Sequence, residues 1–353
     1  MSLINNELYK SDVKRIAELD YKWEKLQNKS FMISGATGMI GRFLIDVIME
    51  KNSYDNLNCH VYALGRDKAK ATSRFESHME SDNFTFVECD INDKIDAEFG
   101  KMDFILHAAS NTHPVAYSTD PIGTIVTNII GTDNLLKYAV AHDTERFVFA
   151  SSVEVYGENR GDTEYFSEDY CGYIDCNTLR AGYPESKRAG EALCQAYAKA
   201  HDLSVVLPRL SRTFGPTMLM SDSKAISQFI KKGIAKEDIV LKSEGTQLYS
   251  YTYVADAVSG LLYCLFEGGD GEAYNISDPS CDCLMRELAQ TIADYVGKKV
   301  VFEIPDKTEA AGYSKATKAI LDNTKLKSIG WKAMFDMKEG LEHTIEILGN
   351  SNY

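Results

Sequence analysis

The stretch Ser30–Arg42, SFMISGATGMIGR, constrains the fold more than any other part of the chain. Phe31, Met32 and Ile33 form a short apolar run that reads as a strand buried on both faces. Gly35, Gly38 and Gly41 follow at three-residue spacing, and Phe43, Leu44, Val47 and Ile48 then recur at a helical period. Gly35 lets the chain turn off the strand, Gly38 leaves room for a phosphate to approach the backbone, and Gly41 lets the helix lie close on the sheet. The open N–H groups and positive end of that helix then face a pyrophosphate. Gly35, Thr37, Gly38, Met39, Ile40 and Gly41 are therefore the candidate dinucleotide cradle. The bland alternative, a tight turn without a ligand, is disfavoured by the strand on one side and the amphipathic helix on the other.

Further strands are expected at 59–64, 84–88, 103–107, 146–150 and 204–207, with long helices over roughly 121–141 and 183–201. Alternating strands and helices predict an α/β fold, a Rossmann-type doubly wound parallel sheet with ligands at the carboxyl ends of its strands. Residues 1–28 read as a leader of one or two amphipathic helices, packed on the sheet edge or on a partner subunit. Residues 29–208 read as the dinucleotide-binding domain. After Pro208 the alternation weakens, and 209–353 read mainly as a smaller α+β substrate lobe, with about 250–267 returning to the first domain. At the end of the second strand Gly65 stands where NAD-preferring folds usually place an acid, and Arg66 follows. An arginine there suits a 2′-phosphate, so NADP is favoured over NAD. Asp67 remains able to serve a ribose 2′-OH if the turn is longer.

The chain has 353 residues and 44% hydrophobic content, ample for a sizeable core. Its net charge of −14 is offset by no basic block, which argues against nucleic acid as a partner. No apolar run is long enough for a membrane span, and the N-terminus lacks a signal pattern. The eight cysteines are scattered without a Cys-x-x-Cys pair or nearby histidines, so no metal site is expected and the thiols fit a reducing cytoplasm.

Tyr183 and Lys187 stand at i and i+4 on a helix whose first turn carries Pro184 and Glu185, so both side chains share a face. An ammonium beside a phenol typically lowers its pKa by about 1–3 units, toward the range of a general base. Ser152, at the end of the fifth strand, is placed to hydrogen-bond the same substrate oxygen. A lone Tyr-x-x-x-Lys is often an ordinary helix face; joined to the glycine turn and this serine it reads as a hydride-transfer site.

These elements, with Asp90-Ile91, His107–Ser110, Asn128–Thr132, Ser151–Gly157, Arg209–Pro216, Tyr253–Asp256 and Tyr274–Ile276, resemble the extended short-chain dehydrogenase/reductases of the NAD-dependent epimerase/dehydratase family from about residue 29 to 345. Through Ser152–Gly157, Glu168–Gly172 and Arg180-Ala-x-Tyr183 before Lys187-Arg188, the chain looks within it most like the UDP-glucuronate decarboxylases. The resemblance implies that Asp90 and Ile91 border the adenine and that Ala108, Ala109 and Ser110 line the cofactor channel. It also adds Asn128 to the cofactor residues and makes Ser152, Tyr183 and Lys187 the catalytic triad. Glu154 is implied as base or proton relay near C5, with a structurally paired carboxylate as the alternative. The aspartate that neighbours this glutamate in sugar 4,6-dehydratases is replaced by Val153. The implied chemistry is oxidation of a nucleotide sugar at C4, after which C5 can lose CO2 or a proton, or the ketone can be reduced on its other face.

Five positions depart from the family pattern: Tyr249 and Thr217 stand for arginines, Arg212 for an asparagine, and Ser223-Lys224 for Gly-Arg. They are expected to cluster at the diphosphate, with Arg180, Arg212, Gln228 and Tyr249 as candidate substrate residues. The departures keep open a net NADP-dependent carbonyl reductase on a non-nucleotide substrate; a cofactor-binding regulator without catalysis is disfavoured by the intact triad. The resemblance also implies a homodimer, with Leu135, Leu136, Tyr138 and Ala139, and Ala192, Leu193, Ala196 and Tyr197, serving either that interface or the core.

Overall fold

The computed structural model describes residues 3–95, 99–112, 115, 119–304 and 317–351. Strands β1 (Ser30–Ser34), β2 (His60–Gly65), β3 (Phe84–Glu88), β4 (Phe104–His107), β5 (Arg146–Phe149), β6 (Ser151–Ser152) and β7 (Val205–Leu210) build one parallel sheet. β11 (Glu272–Ile276) completes it, in the order β11-β7-β5-β4-β1-β2-β3 with short β6 beside β7. The strand order reverses between β1 and β4, and in such sheets the crevice for a ligand opens at that point. β1 is buried on both faces as its sequence requires: Phe31 and Ile33 enter one core cluster, Met32 the other. β7 runs on through Pro208, which lies opposite Tyr274 without ending the ladder; a proline removes one donor, and the remaining pairs carry the strand to Leu210.

One sheet face is covered by α2 (Met39–Asp55) and α8 (Val254–Glu267), the other by helices over 121–141 and by α6 (Gly182–His201). The stretch 121–141 is not a uniform helix. α4 (Pro121–Val126) passes through a wider π turn, Thr127–Gly131, into α5 (Thr132–Ala141). Asn128 sits in that turn, fully buried. Such turns recur at functional sites because they admit an extra residue and re-aim a side chain.

After β7 the chain builds a second, smaller sheet before and after returning to the first through α8 and β11. β8 (Arg212–Phe214) pairs in parallel with β10 (Leu248–Tyr253), which also takes β12 (Asp282–Leu284) and β14 (Lys318–Ala319). α7 (Ala225–Ile234), α9 (Met285–Val296) and α11 (Met337–Gly349) pack together nearby, and β9 (Ile239–Leu241) pairs with β13 (Val300–Phe302).

The leader behaves differently from expectation. α1 (Glu7–Ala17) packs on helices α2, α8 and α11, not on the sheet edge. Two buried polar nodes fix it. Tyr9 donates to Asp46 at 2.5 Å, and that carboxylate also takes Arg42 at 2.8 Å and His78 at 2.7 Å. Asp12 accepts from the Tyr253 hydroxyl at 2.6 Å and lies 3.0 Å from His343 Nδ1. Val13, Ile16 and Ala17 are buried in the main core. The apolar stripe demanded a neighbour, and helix faces rather than strands supplied it.

Candidate active site

The glycine turn follows β1 directly. Gly35 has φ +72°, and a Cβ there would sit 2.6 Å from the backbone of Ala108 and Ala109 at the end of β4. A Cβ on Gly41 would meet the Gly35 carbonyl at 2.6 Å. Two strand ends and a helix start are thus pressed together, and only missing side chains allow it. Gly38 caps α2 without a side-chain bond, so the helix's first N–H groups keep no side-chain acceptor. Thr37, Gly38, Met39 and Ile40 are half-buried around this opening, as are Ala108, Ala109 and Ser110 across the crevice. This cradle fits a dinucleotide pyrophosphate.

Just past the end of β2, Arg66 is 68% exposed with Nη1 3.7 Å from Asp90 Oδ2. Asp67 is engaged otherwise: its carboxylate caps α3 (Lys68–Arg74) by accepting from the Lys70 N–H at 2.9 Å. Ile91 is buried against Gly131, where a Cβ would strike its Cδ1 at 2.8 Å. Thr217 does not join the substrate residues. It is buried, donates to the Met39 carbonyl at 2.9 Å, and accepts from Arg74 through its own carbonyl at 2.7 Å. The loop after β8 is thereby tied to the first turn of α2. Lys224 pairs with Asp222 at 3.1 Å.

Ser152 ends β6 and is hydrogen-bonded to the Tyr183 phenol from α6. Lys187, one turn on, is buried, donates to the Ala150 carbonyl at 2.8 Å, and lies 4.6 Å from the centre of the Phe149 ring. Asn128 Nδ2 donates to Ser186 at 3.0 Å, and Ser186 donates to the Tyr183 carbonyl, so the π turn braces the start of α6. The electrostatics differ from the expected lowered phenol. Burial pushes the Tyr183 hydroxyl well above its ordinary value; the Ser152 hydrogen bond draws it down and the Glu154 carboxylate pushes it up. Burial also lowers Lys187 to about 8, partly offset by Glu191. Desolvation outweighs the Ser152 hydrogen bond at Tyr183 and the Glu191 charge at Lys187.

Glu154, two residues beyond Ser152, faces two cations. Arg180 Nη2 lies 3.5 Å from both of its oxygens and Arg212 Nη2 lies 4.0 Å from Oε1. The Arg212 guanidinium is stacked 3.6 Å over the Tyr249 ring, across the β8–β10 pair. Gln228 stands apart from this group: it is exposed on α7 and its amide donates to the Asp222 carbonyl at 2.9 Å.

Sequence reasoning missed the support behind these residues. His107 is fully buried beside Ser34 at 2.8 Å. Arg209 forks onto Glu191 at 2.9 and 2.7 Å and reaches Tyr156, whose hydroxyl donates to Asn275 at 2.6 Å. Their motifs were visible in the chain, but only the parallel pairing of β5, β7 and β11 brings these residues to one place.

A family model described as the NAD dependent epimerase/dehydratase family matches residues 31–277. UDP-glucuronic acid decarboxylase 5 of Arabidopsis thaliana is 30% identical over 315 residues, 89% of this chain and 87% of that protein. UDP-glucuronic acid decarboxylase 1 of Xenopus tropicalis is 31% identical over 321 residues, 90% of this chain and 71% of that protein. Among solved structures, UDP-glucuronic acid 4-epimerase from Bacillus cereus, in complex with UDP-glucuronic acid and NAD, superposes with a TM-score of 0.75 at 21% identity, covering 90% of this chain and 98% of that one. UDP-glucose 4-epimerase from Thermotoga maritima, solved with UDP-glucose, gives 0.76 at 22% identity with the same coverage. Both share the fold.

Proposed function

The chain belongs to the NAD-dependent epimerase/dehydratase family, and on that premise we propose that it oxidises a nucleotide sugar at C4 and, in its principal reaction, decarboxylates UDP-glucuronate. The observation that carries this reading is the Ser152–Tyr183 hydrogen bond at the carboxyl edge of the sheet, with Lys187 below it and Glu154 beside it. Ser152 and Tyr183 hold the C4 hydroxyl, and Tyr183 takes its proton. A nicotinamide held by the glycine turn would supply reversible acceptance of the C4 hydride. Lys187 stabilises the phenolate that forms; desolvation alone opposes that charge, so a cation is needed there. With a ketone at C4, the C5–carboxylate bond breaks, CO2 leaves, and the electron pair passes into the ketone. Glu154 relays the proton that replaces CO2 at C5.

Gly35, Thr37, Gly38, Met39, Ile40 and Gly41 hold the pyrophosphate in this reading. Asp90 and Ile91 border the adenine, and Ala108, Ala109, Ser110 and Asn128 line the inner channel. Exposed Arg66, with Asp67 engaged as a helix cap, supports NADP over NAD. Arg180, Arg212 and Tyr249 form the substrate end. Exposed Ile122, Ile125 and Ile130 on the α4 side, with Leu179 before α6, support a homodimer through these helices. Leu135, Leu136, Tyr138 and Ala139 serve the core instead. Eight unpaired thiols suit a reducing compartment such as the cytoplasm.

The test is to incubate the protein with UDP-glucuronate and follow products by NMR. UDP-xylose with CO2 and no net change in reduced cofactor is expected. UDP-galacturonate would make it an epimerase, and stoichiometric NADPH oxidation with carbonyl substrates would favour a reductase. Tyr183→Phe is expected to bind dinucleotide normally and lose turnover by about 10²–10⁴-fold.

A further inference from the structure

Two guanidinium groups, Arg180 and Arg212, meet the single carboxylate of Glu154, leaving a net positive charge beside the Ser152–Tyr183 pair. The two cations are not equivalent. Arg180 is 44% exposed, whereas Arg212 is 20% exposed, lies flat on the Tyr249 ring, and has its Nη1 buried without a hydrogen-bond partner among the described residues. A buried guanidinium N–H without an acceptor is costly, and an incoming anionic oxygen relieves that cost. Stacking fixes the plane of the fork in advance, so little side-chain freedom is lost on binding. Position then sets which anion it meets. The Glu154 carboxylate lies near Arg212 and also acts on the Tyr183 phenol. Arg212 therefore stands near the reacting carbon rather than at a remote part of the substrate.

We propose that Arg212 receives the carboxylate of a uronic acid and so selects acidic over neutral sugars, with Tyr249 as the positioning residue that sets its plane. This rests on the nucleotide-sugar reading above. It also gives Glu154 a second effect: by sharing the guanidinium it moderates the grip on a carboxylate that must depart as neutral CO2.

Calorimetric titration of UDP, UDP-glucose and UDP-glucuronate into the dinucleotide-loaded protein separates the carboxylate from the phosphates. Arg212→Gln is expected to weaken UDP-glucuronate by about 10–100-fold, the scale of a charge-assisted hydrogen bond, and to leave UDP and UDP-glucose nearly unchanged. Tyr249→Leu is expected to lose part of the same selectivity and Tyr249→Phe, which keeps the ring, to lose less of it; a merely structural tyrosine would move all three ligands together. Thermal melting checks that each variant folds. Equal weakening of all three ligands would assign Arg212 to the diphosphate and overturn the proposal, as would unchanged UDP-glucuronate binding. Wild-type protein that binds none of the three would overturn the nucleotide-sugar reading and this assignment with it, an outcome distinct from failure of the variants alone.

Discussion

His107 is buried beside Ser34, and desolvation with nearby Lys187 holds its imidazole at about 3. An unfolded histidine titrates near 6.5. Below that pH the unfolded chain takes up a proton that the folded chain refuses. Its stabilising contribution is therefore complete above about pH 6.5 and is lost as pH falls toward 3, at up to about 1.4 kcal/mol per pH unit. Asp256 works the other way: burial raises it to about 7 although two backbone N–H groups at 2.9 Å bond to it. The folded state binds that proton more tightly, so its contribution is lost as pH rises from about 4 to 7. Urea melts of wild type and His107→Gln between pH 7 and 5 separate the two, and the variant is expected to lose stability less steeply on acidification. The Tyr183–Lys187 spacing was readable because i and i+4 share a helix face. The phenol's raised pKa was not, because desolvation depends on what tertiary packing places around it.

Elements were legible in the sequence wherever local geometry dictated them. β1, the glycine turn and α2 follow from apolar runs and three glycines, and their prediction can be tested sharply. Gly35→Ala adds a methyl 2.6 Å from the Ala108 backbone at a left-handed φ. It is expected to cost about 1–3 kcal/mol and to weaken dinucleotide binding more than tenfold, read by equilibrium melts and cofactor titration. What stayed illegible depends on long-range pairing. Nothing local says that β8 lies beside β10, so Arg212 and Tyr249 could be assigned to one site but the stacking of one on the other could not be read. The π turn at Thr127–Gly131 hides inside a pattern that looks uniformly helical. It rotates the helix so that Ile122 and Ile125 face outward while Leu135 and Leu136 enter the core. Deleting one residue there would swing the following turns by about 100°.

At the scale of the molecule, α1 from the first twenty residues and α11 from the last twenty pack against each other. The exposed isoleucines of α4 and the π turn predict association. Ile122→Glu combined with Ile125→Glu is expected to convert a dimer to monomer, read by light scattering coupled to gel filtration. Asp12, Tyr253 and His343 join the two ends of the chain across 331 residues. Asp12→Ala leaves a buried tyrosine hydroxyl without its acceptor and is expected to cost about 2–4 kcal/mol in a denaturant melt. That clamp also has a consequence for synthesis. The ribosome releases α1 long before residue 343 exists, so the His343 side of the Asp12 node stays open while the chain grows. The Tyr9–Asp46 node closes once α2 is made and Tyr253 reaches Asp12 later, but the His343 contact waits for α11, so a product truncated before it would hold α1 less tightly against a quality-control protease.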